Sequence, residues 1–262
     1  FPRLELQGAA LATVIARAIA LVASLLILRF QEKLLSSQIP DLKETLWCWR
    51  DILTVGLPAA AASMISPISV GVITSFLAVY GASTVAGFGI ASRLESLALI
   101  AIIATSSSIG PFVGQNWGAQ RLDSVQLALR KSYLFCVGWG LLMLITLAFS
   151  SPFLTSLFNP DPAVVAVATR YLWLVPFSYG AIGIIQVSSA ALNAMGKPLP
   201  SIVMTGIHMF GLYIPLAYLG SQVAGPTGIF TAAMISNLLV GIGAFVWMRR
   251  LCRQRSTSQP VT

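Results

Sequence analysis

The sequence predicts an all-α integral membrane protein, a bundle of about seven transmembrane helices. Of its 262 residues, 56% are hydrophobic and only 9% are charged, with a mean hydropathy of +0.84, whereas about a quarter of the residues of a soluble domain are charged. Apolar runs of about 20 residues, the length that crosses a bilayer core, follow one another along the chain. We therefore expect membrane lipid as a partner. The net charge of +8 is assigned to loops along the membrane, not to nucleic-acid binding.

Seven apolar segments account for almost the whole sequence, and breaks rich in Gly, Pro, Asn and Asp separate them. Each segment is long enough to cross the bilayer as a helix. Because the chain begins with Phe1 rather than Met, we expect it to be part of a longer protein. The predicted spans are residues 8–29, 51–80, 84–113, 131–152, 164–193, 200–220 and 225–248.

Basic residues are distributed very unevenly between the two ends of these spans. Cytoplasmic loops of membrane proteins carry the excess of Lys and Arg. This distribution predicts a cytoplasmic loop at 31–50 and a cytoplasmic C-terminus. The basic side carries Arg29, Lys33, Lys43, Arg50, Arg121, Arg130, Lys131, Lys197, Arg249, Arg250, Arg253 and Arg255, and the other side carries Arg3 and Arg170.

The first and last spans resemble each other in sequence. The run from Gly8 aligns without gaps to the run from Gly228, with Gly, Ala, Ile and Arg recurring in register. The offset of about 220 residues corresponds to six spans and is typical of parallel repeats. The predicted organisation is the last helix of a first lobe at 1–30, an inter-lobe loop at 31–50, a six-helix second lobe at 51–250 and a cytoplasmic tail at 251–262. The first lobe itself is expected as a partner from the N-terminal part of the same protein.

Several stretches carry a resemblance to a known family. ILTVGLPAAAASMISPISVGVITSFLAVYG, VAGFGIASRLESLALI and SIGPFVGQNWGAQRLDSVQLALRKSY resemble the start of the second lobe of multidrug and toxic compound extrusion (MATE) transporters, and ALNAMGKPLPS resembles a later cytoplasmic turn of that lobe. The resemblance implies helix six plus helices seven to twelve of a twelve-helix carrier in the bacterial inner membrane. Such carriers export xenobiotics, commonly small amphipathic or cationic compounds, by alternating access. They exchange them for protons or sodium and use no cofactor.

The sequence departs from one pattern of coupling residues within that family. One bacterial branch places coupling carboxylates on helices seven and ten, but residues 52–80 and 164–193 contain no Asp or Glu. Coupling is therefore expected at another acid of this lobe or in the first lobe, as in a branch that uses an acid on helix one.

Glu95 is the strongest candidate for ion coupling, because it is the only acid in the interior of a predicted span, Asp51 being the first residue of its span. It lies about 11 residues, roughly 17 Å, into the third span. An ionisable group at that depth is costly, so we expect it to face a cavity or a partner and to be protonated until water reaches it. The alternative is a structural carboxylate paired with Arg17 or with a helix of the first lobe.

Two neighbours of Glu95 are further candidates for the cavity or a gate. Ser92 shares the helix face of Glu95. Arg93 lies on another face, because residues two apart on a helix do not face each other. We expect Arg93 either to pair within the lobe or to extend its charge toward the membrane interface.

The remaining candidates bend helices or place polar groups inside the membrane. Pro67 removes a backbone hydrogen bond and predicts a hinge in the second span. Gln115 and Asn116 end the third span, as a turn or as a gate at the cytoplasmic mouth. His208 is expected either to titrate or to be a packed, hydrogen-bonded histidine. Gln186, Asn193 and Asn237 either line the cavity or join helices. Tyr171, Trp173, Tyr179 and Tyr213 are expected to form an apolar wall for ligands, with an interfacial belt as the alternative for Tyr171 and Trp173.

Other functions require features that this sequence supplies poorly. A lipid or polysaccharide flippase of the same superfamily needs a basic cavity, but only Arg17 and Arg93 are embedded. An intramembrane enzyme needs a nucleophile beside a base, whereas Ser83 lies in an outer turn far from His208; we expect no enzyme. The three cysteines, Cys48, Cys136 and Cys252, have no CxxC or other metal-ligand spacing between them or with the single His208, so we expect no metal. An inactive fragment remains a further alternative.

Overall fold

The regular structure of this chain is helical throughout the ranges that the computed structural model describes, residues 5–31 and 41–257. Within them, the side chains at 5–7, 9–10, 42, 55–63 and 252–257 are not described. Residues 32–40 of the predicted inter-lobe loop and 258–262 of the predicted tail lie outside the described residues. The all-α prediction is confirmed for the described ranges.

The chain divides into two compact units, Phe1–Pro58 and Ala59–Thr262. The first contains α1 (Glu5–Leu26), which continues as a π-helical turn (Ile27–Gln31). The boundary between the units falls within α2 (Leu42–Ala78).

The second unit contains the remaining helices, and two of its helix pairs are continuous through a short segment of different helical geometry. A 3-10 turn joins α6 to α7, and a π-helical segment joins α8 to α9. In chain order the elements are α3 (Ala82–Ala98), α4 (Ile100–Gly118), α5 (Leu122–Phe158), α6 (Pro162–Leu174), the 3-10 turn (Val175–Ser178), α7 (Tyr179–Ala194), α8 (Pro198–Gly206), the π-helical segment (Ile207–Tyr213) and α9 (Ile214–Thr257).

The described helices account for all seven predicted spans. Four stretches are long and apolar enough to cross a bilayer, and α3 with α4 makes a fifth if this bent pair is one span. The longest of these stretches, Pro198–Leu251 with 54 residues, contains a break at Ala224 and Gly225. It therefore covers both predicted spans 200–220 and 225–248. The stretches are Leu11–Gln31, Leu122–Phe158, Pro162–Ala194 and Pro198–Leu251, and the shorter apolar helix Met64–Ala78 lies within predicted span 51–80.

Short turns reverse the chain at residues with positive φ. Gly81, Gly196 and Gly225 have φ values of 103, 72 and 59°, which glycine adopts without a Cβ clash. After α4, however, the left-handed residue is Gln120, with φ of 59°. Gly118 is still the last residue of α4, so this turn is made without a glycine in the left-handed region.

The third predicted span is bent, which the sequence did not indicate. α3 and α4 meet at Leu99 at an angle of 47°. Trp139 of α5 donates its indole Nε1 to the Ala98 carbonyl at 2.8 Å, an oxygen that accepts from residue 102 in a regular helix. A side chain inserted into the hydrogen-bond ladder is a recognised cause of helix bending.

Small residues allow helices of the second unit to approach closely. α7 packs against α4, α5 and α9, and a Cβ on Gly140 of α5 would lie 2.5 Å from the Gly180 nitrogen of α7. A Cβ on Gly87 of α3 would lie 2.8 Å from the Val164 carbonyl oxygen of α6. Such contacts are typical of membrane helices, where packing of small residues drives association. The contact at Gly87 brings α3 against α6, and two turns further along lies the candidate site.

Candidate ion-coupling site

Glu95 lies on α3, four residues before the bend at Leu99, and its side chain is partly buried. Tyr171 of α6 donates its hydroxyl to Glu95 Oε2 at 2.7 Å. The embedded acid therefore has a partner on another helix, as expected. That partner is a phenol.

Packing fixes the position of Tyr171. The side chain is 4% exposed. Its ring lies edge-on to Phe88 and Phe230, with centroid distances of 5.6 and 5.0 Å and interplanar angles of 70° and 80°. Edge-to-face arrangements of this kind are favourable for aromatic pairs. The hydroxyl is consequently aimed at Glu95 by contacts that do not involve the carboxyl.

Two more tyrosines lie within electrostatic range of the Glu95 carboxyl, Tyr179 at the start of α7 and Tyr213 at the end of the π-helical segment. Tyr179 is fully buried, and its hydroxyl has no hydrogen-bond partner among the described residues. The Glu95 carboxyl can accept the hydrogen bond from Tyr171 as a carboxylate and can hold one proton as an acid.

The near neighbours of Glu95 on its own helix have different surroundings. The Ser92 hydroxyl donates to the Phe88 carbonyl at 2.8 Å, one turn earlier in α3. Arg93 is exposed and forms no salt bridge within the described part of the chain. The structure thus gives Glu95 a tyrosine partner and leaves Arg93 at the surface of the second unit.

His208 and Asn237, two residues singled out separately in the sequence, are hydrogen-bonded to each other. His208 Nε2 lies 2.8 Å from Asn237 Oδ1, and Asn237 Nδ2 donates to the Ser178 hydroxyl at 2.9 Å. Ser178 in turn donates to the Val175 carbonyl. His208 is thus a buried, hydrogen-bonded residue, and the network joins the π-helical segment, α9 and the 3-10 turn.

The MatE family model matches residues 58–219. This chain belongs to the MatE family. Over 252 residues it is 38% identical to the "FAD transporter" of Shewanella oneidensis, a match that covers 96% of this chain and 56% of that protein. It is 26% identical to the "Probable multidrug resistance protein YoeA" of Bacillus subtilis, over 95% of this chain and 56% of that protein.

A solved MATE structure has the same fold. The Vibrio cholerae MATE transporter VcmN, in its bent form, is 27% identical and superposes with a TM-score of 0.78, covering 96% of this chain and 57% of that chain. The chain spans about half the length of the curated MatE relatives that it matches.

The other predicted site residues of this MatE chain take no part in the hydrogen bond between Glu95 and Tyr171. Pro67 is exposed, and α2 continues through it. Gln115 is exposed, and Asn116 donates to the Phe112 carbonyl of its own helix at 2.9 Å. Gln186 is half-buried on α7, and Asn193 is exposed near the end of that helix. No hydrogen bond joins any of these described side chains to Glu95.

An open groove of about 760 Å³ lies between α4 and α5 of the MatE unit. Its polar groups come from Thr105 and Ser108 of α4 and from Ser124, Lys131 and Ser132 of α5. None of the predicted site residues lines it. Among the described residues, no group of three or more His, Cys, Asp or Glu side chains could hold a metal ion.

Sequence reasoning missed Tyr171 as the partner of Glu95, having assigned it to an apolar wall or an interfacial belt. A belt residue contacts the membrane surface, whereas Tyr171 is buried; Trp173, in contrast, is 51% exposed. The feature of the sequence that could have predicted a polar partner is the tyrosine itself, because a buried tyrosine hydroxyl usually has a hydrogen-bond partner. The position of that partner, 76 residues away in the sequence, could not be read from α6 alone.

Proposed function

We propose that this chain forms the second lobe of a proton-coupled exporter that works by alternating access in a bacterial inner membrane. The observation that carries the proposal is the Glu95 carboxyl, which lies within an apolar helical unit, accepts a hydrogen bond from Tyr171 and remains partly exposed. Ionisable groups inside a membrane are expensive, and they commonly mark ion pathways and proton relays.

The proposal includes a first lobe that precedes this chain, because alternating access requires two bodies that move against each other around a shared site. The half-length match to the curated relatives supports this. The excess of Lys and Arg supports placing the 31–50 loop and the C-terminal tail on the cytoplasmic side.

The first candidate cargo is a small xenobiotic, commonly an organic cation. A relative named as a probable multidrug resistance protein supports this candidate. A carboxylate beside aromatic rings is suited to a cation, because the ring faces and the carboxylate both attract positive charge. Lipid and polysaccharide flippase activity is the weaker alternative, since the described second unit supplies no basic cluster beside Glu95.

The second candidate cargo is a flavin dinucleotide. The relative named FAD transporter is 38% identical over 96% of this chain, against 26% for the probable multidrug resistance protein. A dinucleotide carries an anionic pyrophosphate, for which guanidinium groups are suitable partners. Arg93, exposed on another face of α3, offers one guanidinium, so the first lobe would have to supply the other basic groups.

The test is Glu95→Gln in the complete transporter, measured as export driven by an imposed gradient in membrane vesicles. Glutamine keeps the shape of the side chain and removes its titration. We expect export to fall by roughly tenfold or more, because a proton-binding group has been lost. The amount of protein in the membrane should not change.

Glu44→Gln is the matched control, since Glu44 is an exposed acid in the first turn of α2, and it should export normally. Vesicles supplied with ethidium or with FAD decide between the two cargoes. Full export by Glu95→Gln of whichever compound the unchanged transporter exports would contradict the coupling role. Loss of the protein from the membrane would instead identify Glu95 as a structural residue.

A further inference from the structure

The hydroxyl of Tyr171 meets Glu95 from a neighbouring helix. Its oxygen lies 2.7 Å from Glu95 Oε2, an ordinary distance for an O–H···O hydrogen bond. We propose that Tyr171 is the positioning residue of the coupling site, holding the Glu95 carboxyl in place and setting its affinity for the proton. This inference rests on the proposed function of Glu95.

The contacts that fix the position of the Tyr171 ring are different from the hydrogen bond that its hydroxyl makes. The ring is held edge-on by Phe88 and Phe230, while the backbone of α6 is held against α3 at Gly87. A phenylalanine at 171 keeps all of these ring contacts. The ring of Tyr171 therefore accounts for its packing, and the hydroxyl accounts for its hydrogen bond to the Glu95 carboxyl.

The other titratable groups around Glu95 are arranged differently. Tyr179 and Tyr213 lie within electrostatic range, but neither is hydrogen-bonded to the carboxyl. Arg93, on the same helix, is exposed, and Arg170, next to Tyr171, donates to the Thr227 hydroxyl at 3.3 Å. α4 has no titratable side chain, and those of α5 lie between Asp123 and Cys136, where Tyr133 bonds Ser188. Tyr171 is thus the hydrogen-bond donor to Glu95 among the described residues.

One fixed donor affects the two protonation states of Glu95 unequally. The carboxylate accepts the phenol hydrogen at Oε2, and a hydrogen bond of this kind favours the charged form. When the carboxylate takes up a proton, its acceptor strength falls and the hydrogen bond weakens, while no covalent bond of Tyr171 changes. The bond therefore promotes proton release and keeps the carboxyl in the same place in both states.

The test uses the purified full chain in lipid nanodiscs and pH-induced infrared difference spectra. Glu95→Gln identifies the carbonyl band of protonated Glu95 by removing it. In Tyr171→Phe, this band should move to higher frequency because the carboxyl loses its donor. Tyr179→Phe, a matched removal of a buried hydroxyl without a bond to Glu95, should leave the frequency unchanged. An unchanged band in Tyr171→Phe, or an equal shift in both variants, overturns the inference.

A second variant makes the test independent of how well Tyr171→Phe folds. Fluorotyrosine incorporated at 171 keeps the ring and makes the phenol a stronger donor, so the band should move to lower frequency. No movement would contradict the proposal.

Export measurements distinguish a failure of this inference from a failure of the proposed function. In the complete transporter, Tyr171→Phe should move the pH of half-maximal export upward by about one unit, equivalent to a tenfold change in proton affinity. If Glu95→Gln exports normally while the Tyr171→Phe band shifts, the proposed function fails and the positioning role survives. If Glu95→Gln abolishes export and Tyr171→Phe changes neither band nor pH profile, only the positioning role fails.

Discussion

Hydrogen bonds between helices hold polar side chains inside the second unit. Tyr171 bonds Glu95, Tyr133 bonds Ser188, and Asn237 bonds His208. Each bond supplies a partner that the apolar surroundings do not offer, and a buried polar group without one costs free energy. The two residues of each hydrogen bond should therefore be tested together, because changing one of them leaves the polar group of the other without a partner.

Asn237→Leu should destabilise the chain by about 1–2 kcal/mol. Asn237 is 8% exposed and connects His208 to Ser178. Leucine has a similar size but offers no acceptor, so the Nε2 group of His208 is left buried without its partner. Ser178 retains its bond to the Val175 carbonyl. The measurement is the unfolding transition of the purified chain in mixed micelles.

The double variant His208→Leu with Asn237→Leu completes this test. Replacing both partners by apolar groups removes the unsatisfied donor, so the double variant should be less destabilised than the sum of the single changes. Strict additivity would show that the hydrogen bond makes no energetic contribution.

The helices of this chain could be predicted from the sequence, but the bend between α3 and α4 could not. The apolar runs and the Gly, Pro and Asn breaks were sufficient to predict every described span and all-α architecture, because length and hydrophobicity determine what can cross a bilayer. The bend at Leu99 was not predictable in the same way. Neither Pro nor Gly lies there, and the side chain that bonds a backbone carbonyl at the bend, Trp139, is on another helix 41 residues away from Ala98.

The same distinction applies to the candidate site. Glu95 could be identified from the sequence because a carboxylate in an apolar run is conspicuous whatever surrounds it. Tyr171 could not be assigned to it, since helical periodicity shows which face a residue shares within its own helix but not which helix lies opposite. For the same reason, His208 and Asn237 could be recognised only as individual residues in the sequence. The hydrogen bond between them could be identified only in the folded structure.

Gly87→Ala tests whether close packing of α3 and α6 supports the candidate site. A methyl group at 87 would lie 2.8 Å from the Val164 carbonyl oxygen and from Val167 Cβ, so the two helices must separate. We expect destabilisation of about 1–3 kcal/mol, typical of overpacked cores. The helix separation should also weaken the hydrogen bond from Tyr171 to Glu95. The measurements are the thermal unfolding midpoint and the Glu95 carbonyl band.

Gly89→Ala is the matched control on the same helix. Nothing lies within 4 Å of a Cβ at Gly89, and alanine favours helix formation by up to about 1 kcal/mol. This variant should be as stable as the parent or more so. Equal destabilisation of both variants would mean that the contact with α6 is not responsible.

At the scale of the whole molecule, the proposed second lobe has one acid in the interior of its predicted spans, which limits the possible coupling chemistry. A single carboxyl binds one proton without further ligands. Sodium, as a hard cation, prefers several oxygen ligands, and the predicted spans 51–80 and 164–193 add no carboxylate in the membrane interior. The phenols around Glu95 offer hydroxyl oxygens but no second negative charge to compensate for the desolvation of the ion.

The complete transporter should therefore run on a proton gradient. Vesicles with an imposed pH gradient and no sodium gradient should export the cargo, and an ionophore that collapses the pH gradient should stop it. Vesicles with only a sodium gradient should show export near the background rate. Export that needs sodium and persists after the pH gradient has collapsed would contradict proton coupling. The negatively charged ligands of a sodium site would then have to come from the first lobe, because Glu95 with its tyrosine neighbours supplies only one such group.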